Sequence, residues 1–210
     1  MVKFPEPPSV PELRALGIGP AEEHTLVAGS RVWRIYFQTG QRPGLWNGFR
    51  GFGPTDARFD HHPPPAAIHT RKILYGAGQG RVCVAEVFQG TRTIDRRRRN
   101  PWLVAFEIVR DLRLLDLRGL WPTRVGASQA ISSGSRRRAQ RWSRRIYEAF
   151  PGIQGLCYPS SMGGGAPAFA LYERAADAIP ATQSFHRALA DPALHIPLEN
   201  AAHQIGYAIV

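Results

Sequence analysis

The apolar segments of this chain are short, and the most strand-like of them carry polar residues where an apolar one belongs. Arg34 interrupts Val32-Trp-Arg-Ile-Tyr-Phe37, and Tyr75 follows Ile73-Leu74. Glu86 lies inside Val82-Cys-Val-Ala-Glu-Val-Phe88, Ser160 closes Gly155-Leu-Cys-Tyr-Pro-Ser, and Arg58 precedes Phe59. Burying a charge is costly unless it is paired or meets a charged ligand. Two arginines, one carboxylate and small hydroxyl donors suit a pocket for a substrate that carries both phosphate and a cationic centre. That combination points to a dinucleotide.

Short segments favour a mixed architecture with strands predominating over long helices. Arg31–Phe37, β-branched and aromatic without a breaker, reads as a strand, and Lys72–Ala77 as a second. Pro101–Val109 and Leu112–Leu117 read as neighbouring strands, and Gly155–Tyr158 and Ala168–Tyr172 as strands around a turn at Gly163-Gly-Gly165. A further strand is expected near Leu194–Leu198, with a short apolar element at the end. The run holding Glu86 fits either a strand or a buried helix. Ser135–Phe150 is the clearest helix: Ala139, Trp142, Ile146 and Ala149 recur on one face and arginines fill the other. The Gly- and Pro-rich stretch 39–65 reads as a long loop of the kind that is functional or mobile. Residues 1–30 form a Pro-rich N-terminal extension with a short helix around Pro11–Leu16, and residues 31–210 a single α+β domain.

The net charge of +11 suggests nucleic acid, but its distribution argues otherwise. Only Lys3 and Lys72 are lysines; the other 25 basic residues are arginines. Arg96 to Arg99 and the six arginines between Arg136 and Arg145 hold nearly all of the excess, so two surface patches carry it. Direct nucleic-acid binding is not expected, although a basic binding module remains the alternative of another class. Cys83 and Cys157 lie in apolar runs and read as buried free thiols. No apolar stretch approaches a membrane span and no signal-like h-region follows Met1, so the expectation is a cytoplasmic protein without a membrane segment.

Five pieces, in order, carry a resemblance: Trp33-Arg34-Ile-Tyr36, Ala57-Arg58-Phe59-Asp60, Ile73-Leu74-Tyr75-Gly-Ala, Val84-Ala85-Glu86-Val87-Phe88 and Gly155-Leu-Cys-Tyr158-Pro159-Ser160-Ser161. Together, over roughly residues 31–175, they resemble the RES domain, named for an Arg, a Glu and a Ser. Ala57 stands where the family usually has glycine, and Gly78-Gln79-Gly80 replaces polar residues before the Glu segment. The resemblance implies an ADP-ribosyltransferase-like fold with a strand-rich core and peripheral helices. It also implies an enzyme that cleaves the nicotinamide–ribose bond of NAD+, as an NAD+ phosphorylase or an NAD+ glycohydrolase, with protein ADP-ribosylation as the alternative. Many members are toxins restrained by an antitoxin with an Xre-like helix-turn-helix. NAD+ is then a substrate, inorganic phosphate a candidate co-substrate, and no prosthetic group is expected.

The residues fit that chemistry. Nicotinamide leaves NAD+ as a neutral base and needs no general acid; the oxocarbenium-like ribose left behind needs a nearby negative charge. Glu86 is the candidate for that role, against the bland reading of a solvated glutamate. Arg34 and Arg58 would grip the pyrophosphate with their planar forks, although in a chain with 25 arginines a strand-face or loop charge is the ordinary reading. Tyr75 would stack on nicotinamide or close over the ribose, and Ser160 or Ser161 would bond the ribose or the acceptor. Tyr36 falls two residues beyond Arg34 on the same strand face and is expected to face the pocket. His61-His62 beside Asp60 lacks a third ligand, so no metal is expected. Gly76-Ala-Gly78-Gln-Gly80 lacks the dinucleotide-binding pattern and reads as a turn.

Overall fold

Arg31–Phe37 and the segment ending at Ala77, the clearest strands in the sequence, lie side by side within one large sheet. The computed structural model describes residues 4–210. Its strands are β1 (Glu23–Leu26), β2 (Arg31–Phe37), β3 (Arg50–Gly53), β4 (Ala67–Ala77), β5 (Thr93–Ile94), β6 (Pro101–Glu107), β7 (Leu112–Asp116), β8 (Gly155–Pro159), β9 (Pro167–Tyr172), β10 (Phe185–Ala188) and β11 (Ala208–Ile209). Its helices are α1 (Val10–Leu16), α2 (Gly80–Val87), α3 (Trp121–Arg124), α4 (Ala130–Ser133), α5 (Arg136–Ala149) and α6 (His195–Ile205). The main sheet runs β1-β7-β8-β9-β4-β2-β6-β10, with β3 also on β4, and β5 and β11 make a separate parallel pair. The fold is α+β.

Strand alternation fills both faces of the sheet. Ile73, Ala77, Leu103, Leu115, Leu156 and Tyr158 pack towards the helices with Val82, Trp142 and Ile146. Val32, Leu74, Phe106, Leu114, Cys157 and Phe169 form a second core on the opposite face. Both cysteines are buried and free. β7 and β8 are parallel, and the crossover between them carries α3, α4 and α5. No helix among the described residues is long and apolar enough to cross a membrane.

Pro101–Glu107 and Leu112–Asp116 are strands, but they do not pair with each other. β6 lies between β2 and β10, whereas β7 lies between β1 and β8. The two-strand arms bend together: Gly29 and Ser30 exchange backbone hydrogen bonds with Ile108, and Asp111 accepts from Ala28 N. Leu26, Val32, Ile108 and Leu112 fill the inside of that bend. The strand expected near Leu194–Leu198 is instead a 3-10 turn leading into α6, because Leu194, Leu198 and Ala202 are buried at helical spacing. The ambiguous run around Glu86 is the helix α2, and the stretch 39–65 contains β3.

Residues before Arg31 are woven into the domain. A Ser9–Glu12 capping box starts α1, Leu13 is fully buried, and Arg14 donates to the Glu148 and Ala149 carbonyls at the end of α5. β1 is an edge strand of the main sheet.

Candidate active site

A cavity of about 330 Å³ opens where β2 and β4 part. The two strands meet in register only at Trp33 and Ala77. A side chain at Gly76 would not fit there, since its Cβ would lie 2.5 Å from Val32 Cγ1. Below that crossing, β4 turns its edge to β3 over residues 67–73. The carbonyl of Tyr75 falls in the slot between the two partners. Arg34 fills the slot: Nη1 donates to Tyr75 O at 3.2 Å and Nη2 to Gly48 O at 3.3 Å. Burial pulls its guanidinium down to about 10, which leaves it charged at neutral pH.

Glu86 enters from α2, where Val82 to Ala85 anchor the helix in the core. Ser160 Oγ donates to Glu86 Oε1 at 2.5 Å and accepts from Gly163 N at 2.8 Å. The turn holding Ser160 in place needs left-handed backbone at Gly164 (φ 66°) and Gly165 (φ 80°), conformations that favour glycine. Gln89 Nε2 donates to Glu86 O at 2.7 Å and lies 3.4 Å from Oε2. Glu86, Arg34 and Arg58 make no ion pair among the described residues, although all three line the same cavity.

Arg58 rides on a loop that the fold fixes tightly. Gln140 of α5 donates to the carbonyls of Thr55 at 2.7 Å and Ala57 at 2.9 Å, and Ser143 donates to Phe59 O at 2.8 Å. Asp60, fully buried, accepts from Thr55 N at 2.7 Å and Thr55 Oγ1 at 2.8 Å, pairs with Arg50 at 3.0 Å, and bonds the His62 ring. Burial alone would raise its carboxyl, but His62, Arg50 and Thr55 together hold it well below the usual carboxylate range. His62 Nε2 bonds Arg71 O at 2.8 Å, so this histidine belongs to the internal network, with the His61 ring packed beside it.

Tyr75 and Tyr158 form aromatic walls. Burial pushes both phenols up; the Tyr75 hydroxyl has no hydrogen-bond partner, and Tyr158 packs on Phe59 at 4.6 Å between ring centroids. Cys83 also touches the cavity, but burial pushes its thiol up to about 12 and its Sγ bonds Trp33 O at 3.1 Å. It is a neutral thiol, not a nucleophile.

Of the residues expected from sequence, Glu86, Arg34, Arg58, Tyr75 and Ser161 line the cavity. Ser160 is fully buried directly behind Glu86, while Ser161 is exposed at the cavity surface. Tyr36 does not face the pocket. Its hydroxyl bonds His186 Nε2 at 2.7 Å on β10 and accepts from Gln38 Nε2 at 3.2 Å. Alternation put it level with Arg34, but Arg34 reaches the cavity only by turning into the slot beside β4. Sequence reasoning missed Tyr158, Gln89 and Arg136 as lining residues. Tyr158 lies within the Tyr-Pro-Ser segment and Gln89 falls one helical turn after Glu86, whereas Arg136 was hidden among the arginines of α5.

This arrangement offers one carboxylate, unpaired cations and no second acid within the cleft apart from the solvent-facing Asp56. It suits stabilisation of a developing cation beside bound phosphate, not two-carboxylate hydrolysis. The family described as RES domain matches residues 31–195. The chain belongs to the RES domain family. No curated protein matches the sequence at a significant level. Among solved structures, a chain of the crystal structure of the M. tuberculosis MbcT–MbcA toxin–antitoxin complex is similar in fold. Its TM-score is 0.58 at 17% identity, covering 91% of this chain and 96% of that one. The RES match takes in every residue named above for the cavity, from Arg34 to Ser161.

Proposed function

We propose that this RES domain cleaves the nicotinamide–ribose bond of NAD+ and acts as the toxin of a toxin–antitoxin pair. The observation that carries the reading is a single cleft holding Glu86, Arg34 and Arg58 with none of the three neutralised by another side chain. Unpaired charges in a low-dielectric cleft are tolerated where a ligand completes them. NAD+ supplies two phosphates for the arginines and a pyridinium for the carboxylate.

In this reading the C1′–N bond breaks, its electron pair leaves with nicotinamide as a neutral base, and Glu86 faces the cationic ribose. Ser160 keeps the carboxylate aimed, Tyr75 and Tyr158 enclose the nicotinamide ribose, and Ser161 reaches the ribose or the incoming acceptor. The arginines hold the pyrophosphate. Inorganic phosphate or water attacks C1′, and a protein side chain is the alternative acceptor. Likeness in fold to a chain of a toxin–antitoxin complex supports an inhibitory protein partner, for which an Xre-like helix-turn-helix protein is the proposed kind.

The test is incubation of purified protein with NAD+, with and without phosphate, followed by product analysis. Free ADP-ribose identifies hydrolysis, ADP-ribose 1″-phosphate identifies phosphorolysis, and a labelled polypeptide identifies transfer to protein. Intact NAD+ under all conditions overturns the reading.

A further inference from the structure

Arg136 stands at the head of an arginine-rich helix but is set apart from its companions. Arg138 and Arg141 share Glu6 at 3.2 and 2.5 Å, and Arg145 pairs with Glu148 at 3.6 Å, all on the outer face of α5. Arg136 instead lines the cavity. Its nearest carboxylate, Asp56, is 3.7 Å away and fully solvated, a weak counter-charge. Arg58 reaches the same wall, with Nη1 donating to Gly134 O at 2.6 Å, two residues before Arg136. Burial and then the charge of Arg136 lower the Arg58 guanidinium, as expected for like charges facing one space. The first turn of α5 has no side-chain cap, which adds the positive end of a helix dipole to the same wall. Arg34 lies apart from this pair, on β2, with one hydrogen bond to each of the carbonyls of Tyr75 and Gly48.

We propose that Arg58 and Arg136 form an anion subsite for a phosphoryl group, distinct from Arg34 and coupled to Glu86 through Gln89. The coupling is a strut with one sensible orientation. Arg136 Nη2 donates to Gln89 Oε1 at 2.7 Å, which leaves the amide Nε2 to donate to Glu86 O at 2.7 Å. An anion drawn to Arg136 therefore acts on the residue that fixes the Glu86 end of α2. Two sources share this chemistry: a phosphate ester of the substrate and free inorganic phosphate. The inference deepens the NAD+ reading and rests on it for the identity of the substrate, but not for the presence of the subsite.

Calorimetric titration of the purified chain with inorganic phosphate and with ADP-ribose tests it, using Arg136→Ala, Arg136→Lys and the exposed neighbour Arg137→Ala. Losing a charge-assisted fork is expected to weaken binding about tenfold or more in Arg136→Ala, with partial recovery in Arg136→Lys and no change in Arg137→Ala. Weakening for inorganic phosphate assigns the subsite to the free oxyanion. Weakening for ADP-ribose alone assigns it to the ester. Equal binding of both probes by Arg136→Ala and the parent overturns the subsite, as does a parent that binds neither. If Arg136→Ala does not fold, Arg136→Gln, which keeps a hydrogen-bond donor for Gln89, gives the same comparison. Anion binding that depends on Arg136 in a protein that leaves NAD+ intact retains the subsite and rejects the reaction. NAD+ cleavage by a protein whose Arg136→Ala variant binds both probes as the parent does retains the reaction and rejects the subsite.

Discussion

Asp60 and Glu86 are two carboxylates on neighbouring parts of the same fold, and the protein treats them oppositely. Asp60 is fully buried and completely answered, with Arg50, His62 and both Thr55 donors around it. Glu86 is half-buried, receives Ser160 and Gln89, and has no cation. A buried charge with every partner in place is an internal brace; a carboxylate aimed into a cleft by neutral donors still has its charge to offer. Polarity inside an apolar segment is thus ambiguous on its own, and the partner list separates structure from chemistry.

Removing the brace gives the largest expected effect. Asp60→Ala leaves Arg50 and His62 without their carboxylate, and breaking a buried pair in this way costs about 3–5 kcal/mol. Urea unfolding followed by circular dichroism reads this directly. A loss below about 1 kcal/mol, the range of exposed ion pairs, would mean that Asp60 is not the brace described, and the contrast with Glu86 would collapse.

The opposite profile is expected for Glu86→Gln. Stability stays within about 1 kcal/mol of the parent, because no ion pair is broken. Nicotinamide release falls about 10²–10³-fold, the usual size of removing one preorganised electrostatic contact to a transition state. Growth inhibition on expression falls with it. A variant as active as the parent would place the chemistry elsewhere.

The sequence carried much of this contrast, though unevenly. Glu86 and Ser160 were legible because each interrupts or ends an apolar run, and Arg34 because it sits at the centre of one. Tyr36 was misplaced by the same reasoning: strand alternation assumes a flat neighbour, and β2 leaves β4 immediately after Trp33. Arg136 was invisible because composition cannot tell one arginine from another; only the fold shows which arginine of α5 lines the cavity. The separation of β6 from β7 was equally out of reach. It follows from a bend shared with the β1–β2 arm, a long-range event that local propensity does not encode. The brace itself was set aside as a failed metal site, since adjacent histidines do not announce that one will bond Asp60 and the other will pack among tyrosines.

That second histidine sharpens the comparison at its weakest point. His61 lies against His62 beside the Asp60 network, is fully buried, and packs at a tilt on Tyr147 and Tyr172 with ring centroids 4.4 and 4.7 Å away. Neither ring nitrogen has a hydrogen-bond partner, and the nearest carboxylate, Glu173, is 4.0 Å away and already accepts from Lys72 N and Tyr147. Burial, reinforced by His62, Arg71 and Arg174 against the opposing charge of Asp60, brings its pKa down to about 3. Between the ordinary value near 6.5 and that folded value, the unfolded chain binds a proton that the folded one refuses. Stability therefore falls as the pH drops through this window, by up to about 1.4 kcal/mol per pH unit. Asp60 adds its own loss only at lower pH, from the ordinary carboxylate value downwards, where the unfolded chain's aspartate takes up a proton that the folded carboxylate refuses. His61→Phe fits the same aromatic stack and carries no proton, so between pH 6.5 and 5 its unfolding free energy should fall less steeply than the parent's by about one proton's worth. Parallel slopes for the two proteins would mean that His61 titrates freely in the folded state, and that the network around Asp60 is open to water like the cleft beside it.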